Sequence, residues 1–263
     1  MSKESEATAK GVVSVHGIDL EVVRQGAGSP ILLLHGFQPL DPAARFCGLL
    51  GRHARIVAPS HPGFGGSPRP DGFESMYDLV NLYCAMLDAL PDERTTVMGF
   101  SFGGWLAAEL AVRSSRKIER LILVDPVGIK VSDRETPDIL DVFNTHPHEV
   151  KQRAWHDPAN APDYDAMTDA QLVAMHRNWE SLALFAWHPF MHNPRLAYWL
   201  PSIATPTLVL WGASDRIVSP AYGQAFAGLI PGARFAAIER AGHHPHLEQP
   251  DAVVDHVVGF LNR

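Results

Sequence analysis

The residues best equipped for chemistry in this sequence stand at separate places along the chain. Gly99-Phe100-Ser101-Phe102-Gly103-Gly104 sets a serine in a G-x-S-x-G pattern, between an aliphatic run that reads as a buried strand and an apolar stretch with helical spacing. A serine on so sharp a turn is strained, and small flanking residues let the neighbouring backbone crowd it while its hydroxyl projects outward. The N–H of Phe102, at the start of the helix, lacks an intrahelical acceptor and can donate to an oxyanion. A glycine-rich turn with an incidental serine is the plain alternative; the strand before and the helix after favour a nucleophile.

Such a serine needs a base, and the chain offers fourteen histidines. His243, in Ala241-Gly242-His243-His244-Pro245, sits in a turn after the last strand-like run, at the edge of the sheet that carries the other candidate groups. Its neighbours His244 and His246 could serve instead if that loop turned differently. For the acid that orients the histidine, Asp215 lies in Trp211-Gly212-Ala213-Ser214-Asp215-Arg216, just past a buried run. Asp125 fits the same chain order and also ends a strand, so spacing alone leaves both open, with Asp215 preferred. The plain readings are a structural carboxylate for Asp125 and, for Asp215, a surface ion pair with Arg216, worth little energetically. A second oxyanion donor is expected in the loop after an earlier strand, where His35-Gly36-Phe37 follows Ile31 to Leu34, making Phe37 N–H the candidate.

These groups need a scaffold that brings them to one place. Val12 to Val15 and Leu20 to Val23 read as a hairpin around His16-Gly17-Ile18-Asp19. Continuous aliphatic runs follow at Ile31 to Leu34, Arg55 to Ala58, Thr95 to Met98, Leu121 to Val124 and Thr207 to Leu210, with a weaker one at Phe235 to Ile238. Runs of this kind suit strands buried on both faces of a parallel sheet. Helical patterns lie between them at Met76 to Leu90, Trp105 to Val112, Ala221 to Leu229 and Ala252 to Leu261. Alternating strands and helices imply an α/β fold with right-handed crossovers, in which sites form at the carboxyl ends of the strands.

From Asp125 to Pro206 no strand signal occurs, over a length far beyond an ordinary connection. Residues 126–205 are therefore expected to form a helical cap, with Asp169 to Leu184 as one helix and Trp155, Trp179, Trp187 and Trp199 as apolar bulk. Residues 1–125 and 206–263 are expected to form the core.

HGF after a strand, GFSFGG, WGASDRIV and AGHHPHLEQP, in that order, resemble the α/β-hydrolase superfamily over nearly the whole chain. The resemblance implies an eight-stranded, mostly parallel sheet, a lid after the sixth strand, and no metal or organic cofactor. It favours Ser101, His243 and Asp215 as a catalytic triad and hydrolysis of a small, mainly apolar carboxylic ester. A carbon–carbon bond hydrolase of ring-cleavage products and a non-catalytic ligand receptor are the alternatives that the same resemblance leaves open. Two positions depart from the family pattern: Ser60 stands where an Asp is usual, and Phe100 where a His usually precedes the nucleophile.

Composition argues against nucleic acid and membrane partners, beside the small-molecule substrate that the resemblance implies; it leaves the oligomeric state open. A net charge of −7 and the lack of any long basic run argue against nucleic acid. No segment approaches the ~18 uninterrupted apolar residues of a membrane span. The polar opening MSKESEATAK reads as a frayed cytoplasmic N-terminus, Cys47 and Cys84 as core thiols. The cap histidines His146, His148, His156, His176, His188 and His192 lack the spacing and support of a zinc site. Arg134, Lys151, Arg153, Arg177 and Arg195 are the cap cations available to hold an acidic substrate. The Phe37, Phe100 and Phe102 neighbourhood, with the cap tryptophans, suggests an apolar slot instead.

Overall fold

Residues 8–41, 44–91, 94–113 and 116–263 are described by a computed structural model. The chain opens with β1 (Ala9–Val15) and β2 (Ile18–Gln25), joined by the two-residue turn His16-Gly17. Both turn residues have positive φ, +50° and +79°, as a hairpin turn whose twist matches its strands requires. Ala9 and Lys10 thus already pair with β2, where the sequence suggested a frayed end; residues 1–7 of that expectation lie outside the described residues. There follow β3 (Pro30–Leu34), α1 (Arg45–Leu50), β4 (Arg55–Pro59), α2 (Met76–Ala89), β5 (Thr95–Phe100), α3 (Phe102–Arg113) and β6 (Ile118–Val124). The segment after β6 carries α4 (Pro147–Ala154), α5 (Asp169–Ala186) and α6 (Leu196–Trp199). The chain closes with β7 (Thr207–Gly212), α7 (Pro220–Gly228), β8 (Arg234–Ile238), α8 (Pro245–Glu248) and α9 (Pro250–Leu261).

The strands form one eight-stranded sheet in the order β1-β2-β4-β3-β5-β6-β7-β8, with only the β1–β2 and β2–β4 pairs antiparallel. Alternate side chains of each strand feed opposite faces. From β3, Leu32 and Leu34 join a core with α2, α3 and α7, while Ile31 and Leu33 pack against α1 and α9. Both faces are covered, which is why these strands read as unbroken aliphatic runs.

The two longest helices start where side chains cap them. Ser75 and Asp78 form a reciprocal capping box at α2, as do Thr168 and Gln171 at α5. The inserted segment does not stand apart from the core: Trp155, Leu182, Phe185, Leu196 and Leu200 bury into the same apolar cluster as α3. Among the described residues no helix is long and apolar enough to cross a membrane.

Candidate active site

Three strand ends converge on Ser101. The serine follows β5 with φ +48°, a conformation that costs a non-glycine residue about 1–3 kcal/mol and persists only when its surroundings enforce it. Its N–H donates to the Val124 carbonyl at 2.9 Å, and its own carbonyl accepts from Trp105 N at 3.0 Å. Two glycines make room for the turn. A Cβ on Gly99 would lie 2.2 Å from the Gly103 carbonyl oxygen, and one on Gly103 would lie 2.2 Å from that of Leu34.

His243 Nε2 lies 2.8 Å from Ser101 Oγ, and its Nδ1 lies 2.7 Å from Asp215 Oδ2. The carboxylate fixes the tautomer: Nδ1–H donates to Asp215, which leaves Nε2 to accept the serine proton. Asp215 Oδ1 accepts the Ile217 and Val218 N–H groups at 2.8 and 3.1 Å, so the turn after β7 aims the carboxylate. Arg216, the alternative partner, turns away to the Gln152 carbonyl. The acid and base turns meet because Gly212 lacks a side chain, its absent Cβ lying 1.9 Å from the Gly242 carbonyl oxygen.

The rival bases are engaged elsewhere. His244 packs on Trp155 with ring centroids 4.9 Å apart, and His246 on Phe100 at 4.1 Å. Burial, reinforced by neighbouring histidines, holds His244 well below the usual imidazole range and pushes His246 down to about 3.

Gly36 brings the loop after β3 against the serine, since a Cβ there would lie 3.3 Å from Ser101 Cβ. Neither Phe37 N–H nor Phe102 N–H has an acceptor among the described residues. The direction of the first is set by a buried chain. His35 Nδ1–H donates to Gly36 O at 2.8 Å, which shares its peptide plane with Phe37 N–H. His35 Nε2 accepts from His61 N–H at 2.9 Å, His61 Nε2–H donates to the His35 carbonyl at 3.0 Å, and Tyr83 O–H donates to His61 Nδ1 at 2.6 Å. Burial lowers both imidazoles, His61 to about 4, so this network is neutral near pH 7. The sequence offered no periodic signal for it beyond the HG dipeptide.

The aromatic slot differs from expectation. The Phe100 ring packs beneath His246 and against Phe46, and the Phe102 ring lies between Phe64, Trp105 and Phe185, both in core layers. The aromatic surface beside the loop after β3 comes from Phe37, whose ring lies tilted on Trp179 of α5 at 4.2 Å, with Phe143 behind it. Ser60, the first departure from the family pattern, has its N–H on the Glu21 carbonyl and its own carbonyl accepting from Ser67 Oγ, a loop-fixing role.

The inserted segment is tied to the site in two places. Ala154, the last residue of α4, accepts the His243 N–H at 2.7 Å. On α5, Asn178 accepts from Gly65 N and donates to Gln38, Ser181 donates to the Gly63 carbonyl, and Arg177 donates to the carbonyls of Gly65 and Ser67. Arg177 thus holds a core loop, and Arg153 pairs with Glu149 of its own helix. Sequence reasoning also missed Glu248, whose carboxylate takes the N–H groups of Gly242, His156 and Asp157. Among the described residues, the only group of three metal-type donors in mutual reach is Asp125, Asp215 and His243, and both ring nitrogens of His243 already face Asp215 and Ser101.

This arrangement defines a class, and comparison with known proteins agrees. The alpha/beta hydrolase family model matches residues 31–256, and the chain belongs to that family. It is 29% identical to the 2-hydroxy-6-oxo-2,4-heptadienoate hydrolase of Pseudomonas putida, covering 95% of each chain. It is 27% identical to Esterase YbfF of Escherichia coli, over 90% of this chain and 95% of the esterase. Among solved structures, a bacterial membrane phospholipase A superposes with a TM-score of 0.82 at 22% identity, over 97% of this chain and 86% of that one, a likeness of fold.

Proposed function

We propose that the protein is a serine hydrolase that cleaves a small, mainly apolar carboxylic ester through an acyl-enzyme. The observation that carries this reading is the unbroken hydrogen-bonded line from Ser101 through His243 to Asp215, next to the unpaired N–H groups of Phe37 and Phe102. His243 Nε2 takes the Ser101 proton as Oγ attacks the ester carbonyl, and the two N–H groups hold the oxyanion. The alkoxide departs with the proton from His243. Water then gives its proton to Nε2 and attacks the acyl carbon, and His243 returns that proton to Ser101 Oγ as the acyl C–Oγ bond breaks and the carboxylic acid is freed. Residues 126–205 act as a lid whose Trp179 and Phe143 face an apolar acyl or alcohol group.

A second reading is hydrolysis of a carbon–carbon bond in a vinylogous diketo acid, favoured by the similarity to a heptadienoate hydrolase. It needs a cation near the serine for the substrate carboxylate. Arg177, the cation expected on the lid helix, is engaged with backbone carbonyls, which supports the ester reading. An uncompensated carboxylate against Phe37 and Trp179 would cost several kcal/mol.

A fluorophosphonate probe is expected to label Ser101 alone, and p-nitrophenyl esters of medium length to be turned over by the wild type but not by Ser101→Ala. Labelling of folded Ser101→Ala would overturn the nucleophile. A kcat/KM for diketo acids about a hundredfold above the best ester would replace the ester reading with the carbon–carbon one.

A further inference from the structure

Asp125 ends β6 beside the acid turn, and no step described above uses it. Its side chain is buried and its backbone is held at φ +45°. Oδ1 accepts the Gly212 N–H at 2.8 Å, whereas the buried Oδ2 has no hydrogen-bond partner. An oxygen of Asp125, an oxygen of Asp215 and a ring nitrogen of His243 all lie within 4.8 Å of one another.

Lone-pair counting shows what Oδ2 can do. Asp215 Oδ1 serves Ile217 and Val218, and Oδ2 serves His243, which leaves one acceptor site on Asp215 Oδ2. An ionised Asp125 would turn a second buried negative charge toward that site without a donor between them, an arrangement in which one of the two carboxyls keeps its proton. A protonated Oδ2 instead has an acceptor waiting.

We propose that Asp125 is a neutral carboxylic acid that donates its Oδ2 hydrogen to Asp215, a positioning residue that keeps the Asp215 carboxylate in line with His243 and draws off part of its negative charge. Burial and then the Asp215 charge push the Asp125 carboxyl well above the usual carboxylate range, against the opposing pull of the Gly212 N–H. The proposal rests on Asp215 being the triad acid. The other groups around His243 are Ser101 from the turn after β5, His244 and His246 from its own turn, both uncharged, and Glu248 of α8, engaged with three backbone N–H groups. His156, after α4, is bonded to Ser214.

Infrared difference spectra at neutral pH test the proton directly. The wild type is expected to show a carboxylic acid C=O band that is lost in Asp125→Asn; no such band means that Asp125 is ionised and the proposal fails. The donated hydrogen is tested by the ring titration of His243, followed by NMR on isotope-labelled histidine and assigned by its loss in His243→Gln. Asp125→Asn keeps a neutral donor toward Asp215, so the titration midpoint stays in place; a fall of about one pH unit would show that a charge had been removed. Asp125→Gly, which tolerates the positive φ, removes the donor and leaves Asp215 its full charge. Its midpoint is expected to rise by about half a pH unit, and an unmoved midpoint would reduce Asp125 to a structural residue. Neither measurement needs a substrate, so failure of the ester reading and failure of this proposal are distinguishable.

Discussion

Asp215 assigns each of its oxygens a separate task, one to the turn that carries it and one to His243. Replacing it by Asn presents an N–H where His243 needs an acceptor and favours the wrong ring tautomer. Asp215→Asn is expected to lower kcat by about three to four orders of magnitude while the thermal transition stays cooperative. Asp125→Asn is expected to cost far less, and a reversal of that order in ester kinetics would move the acid to β6. At this scale the sequence was readable where a residue's neighbours dictate its turn: glycines around Ser101, and a strand end before Asp215. It left Asp125 and Asp215 both open because each ends a parallel strand one sheet position apart, and only the side-chain direction separates them. The structure places the rings of Phe100 and Phe102 in core layers and not in the expected apolar slot, since adjacency to a serine in the chain does not dictate where a ring packs.

Elements were legible in proportion to the burial that shaped them. The parallel strands announced themselves as aliphatic runs because both faces are covered, and the two longest helices, α2 and α5, carry capping boxes. The six-residue α1 has no capping side chain at Ala44 and too few turns to show a period, so it passed unnoticed. The eight-residue α4 is also short and has a single buried side chain, Ala154, although His146 caps it and Pro147 opens it. Function at this scale lies in the clasp between α5 and the loop after β4. Asn178 is buried and meets both Gly65 and Gln38, so Asn178→Leu strands two polar partners at a cost of about 1–3 kcal/mol. Hydrogen exchange is expected to quicken along α5 in that variant, while α3 and the strands keep the wild-type rates. Equal acceleration throughout would mean that the clasp supports the whole fold and not α5 alone.

The whole molecule carries an acid-sensitive set of buried, neutral imidazoles: His35, His61, His244 and His246. A histidine lowered in the folded state contributes stability that is fully present above its unfolded value near 6.5 and is lost as pH falls toward the folded value. For His246 that window runs from about 6.5 down to about 3. Asp125, raised by burial, acts in the opposite sense, so the clean measurement is a difference between two proteins. Between about pH 8 and pH 5 the wild type is expected to lose about 2 kcal/mol more unfolding free energy than His246→Phe, which keeps the stacking on Phe100. Urea titrations at the two pH values read this directly, and parallel losses would mean that His246 is already charged in the folded state.

The hydrogen bond from His243 N–H to Ala154 makes the inserted segment asymmetric in what it is allowed to do. Swinging α4 outward pulls on the backbone of His243, so an opening on that side would disturb the proposed triad. Lifting α5 leaves that backbone bond untouched, yet it uncovers the rings of Phe37 and Phe102, which pack on Trp179 and Phe185, and releases the loops that bear Gln38, Gly63, Gly65 and Ser67. A chimera that exchanges α5 alone must keep rings that pack on Phe37 and Phe102, whereas one that exchanges α4 must rebuild the seat of the His243 backbone.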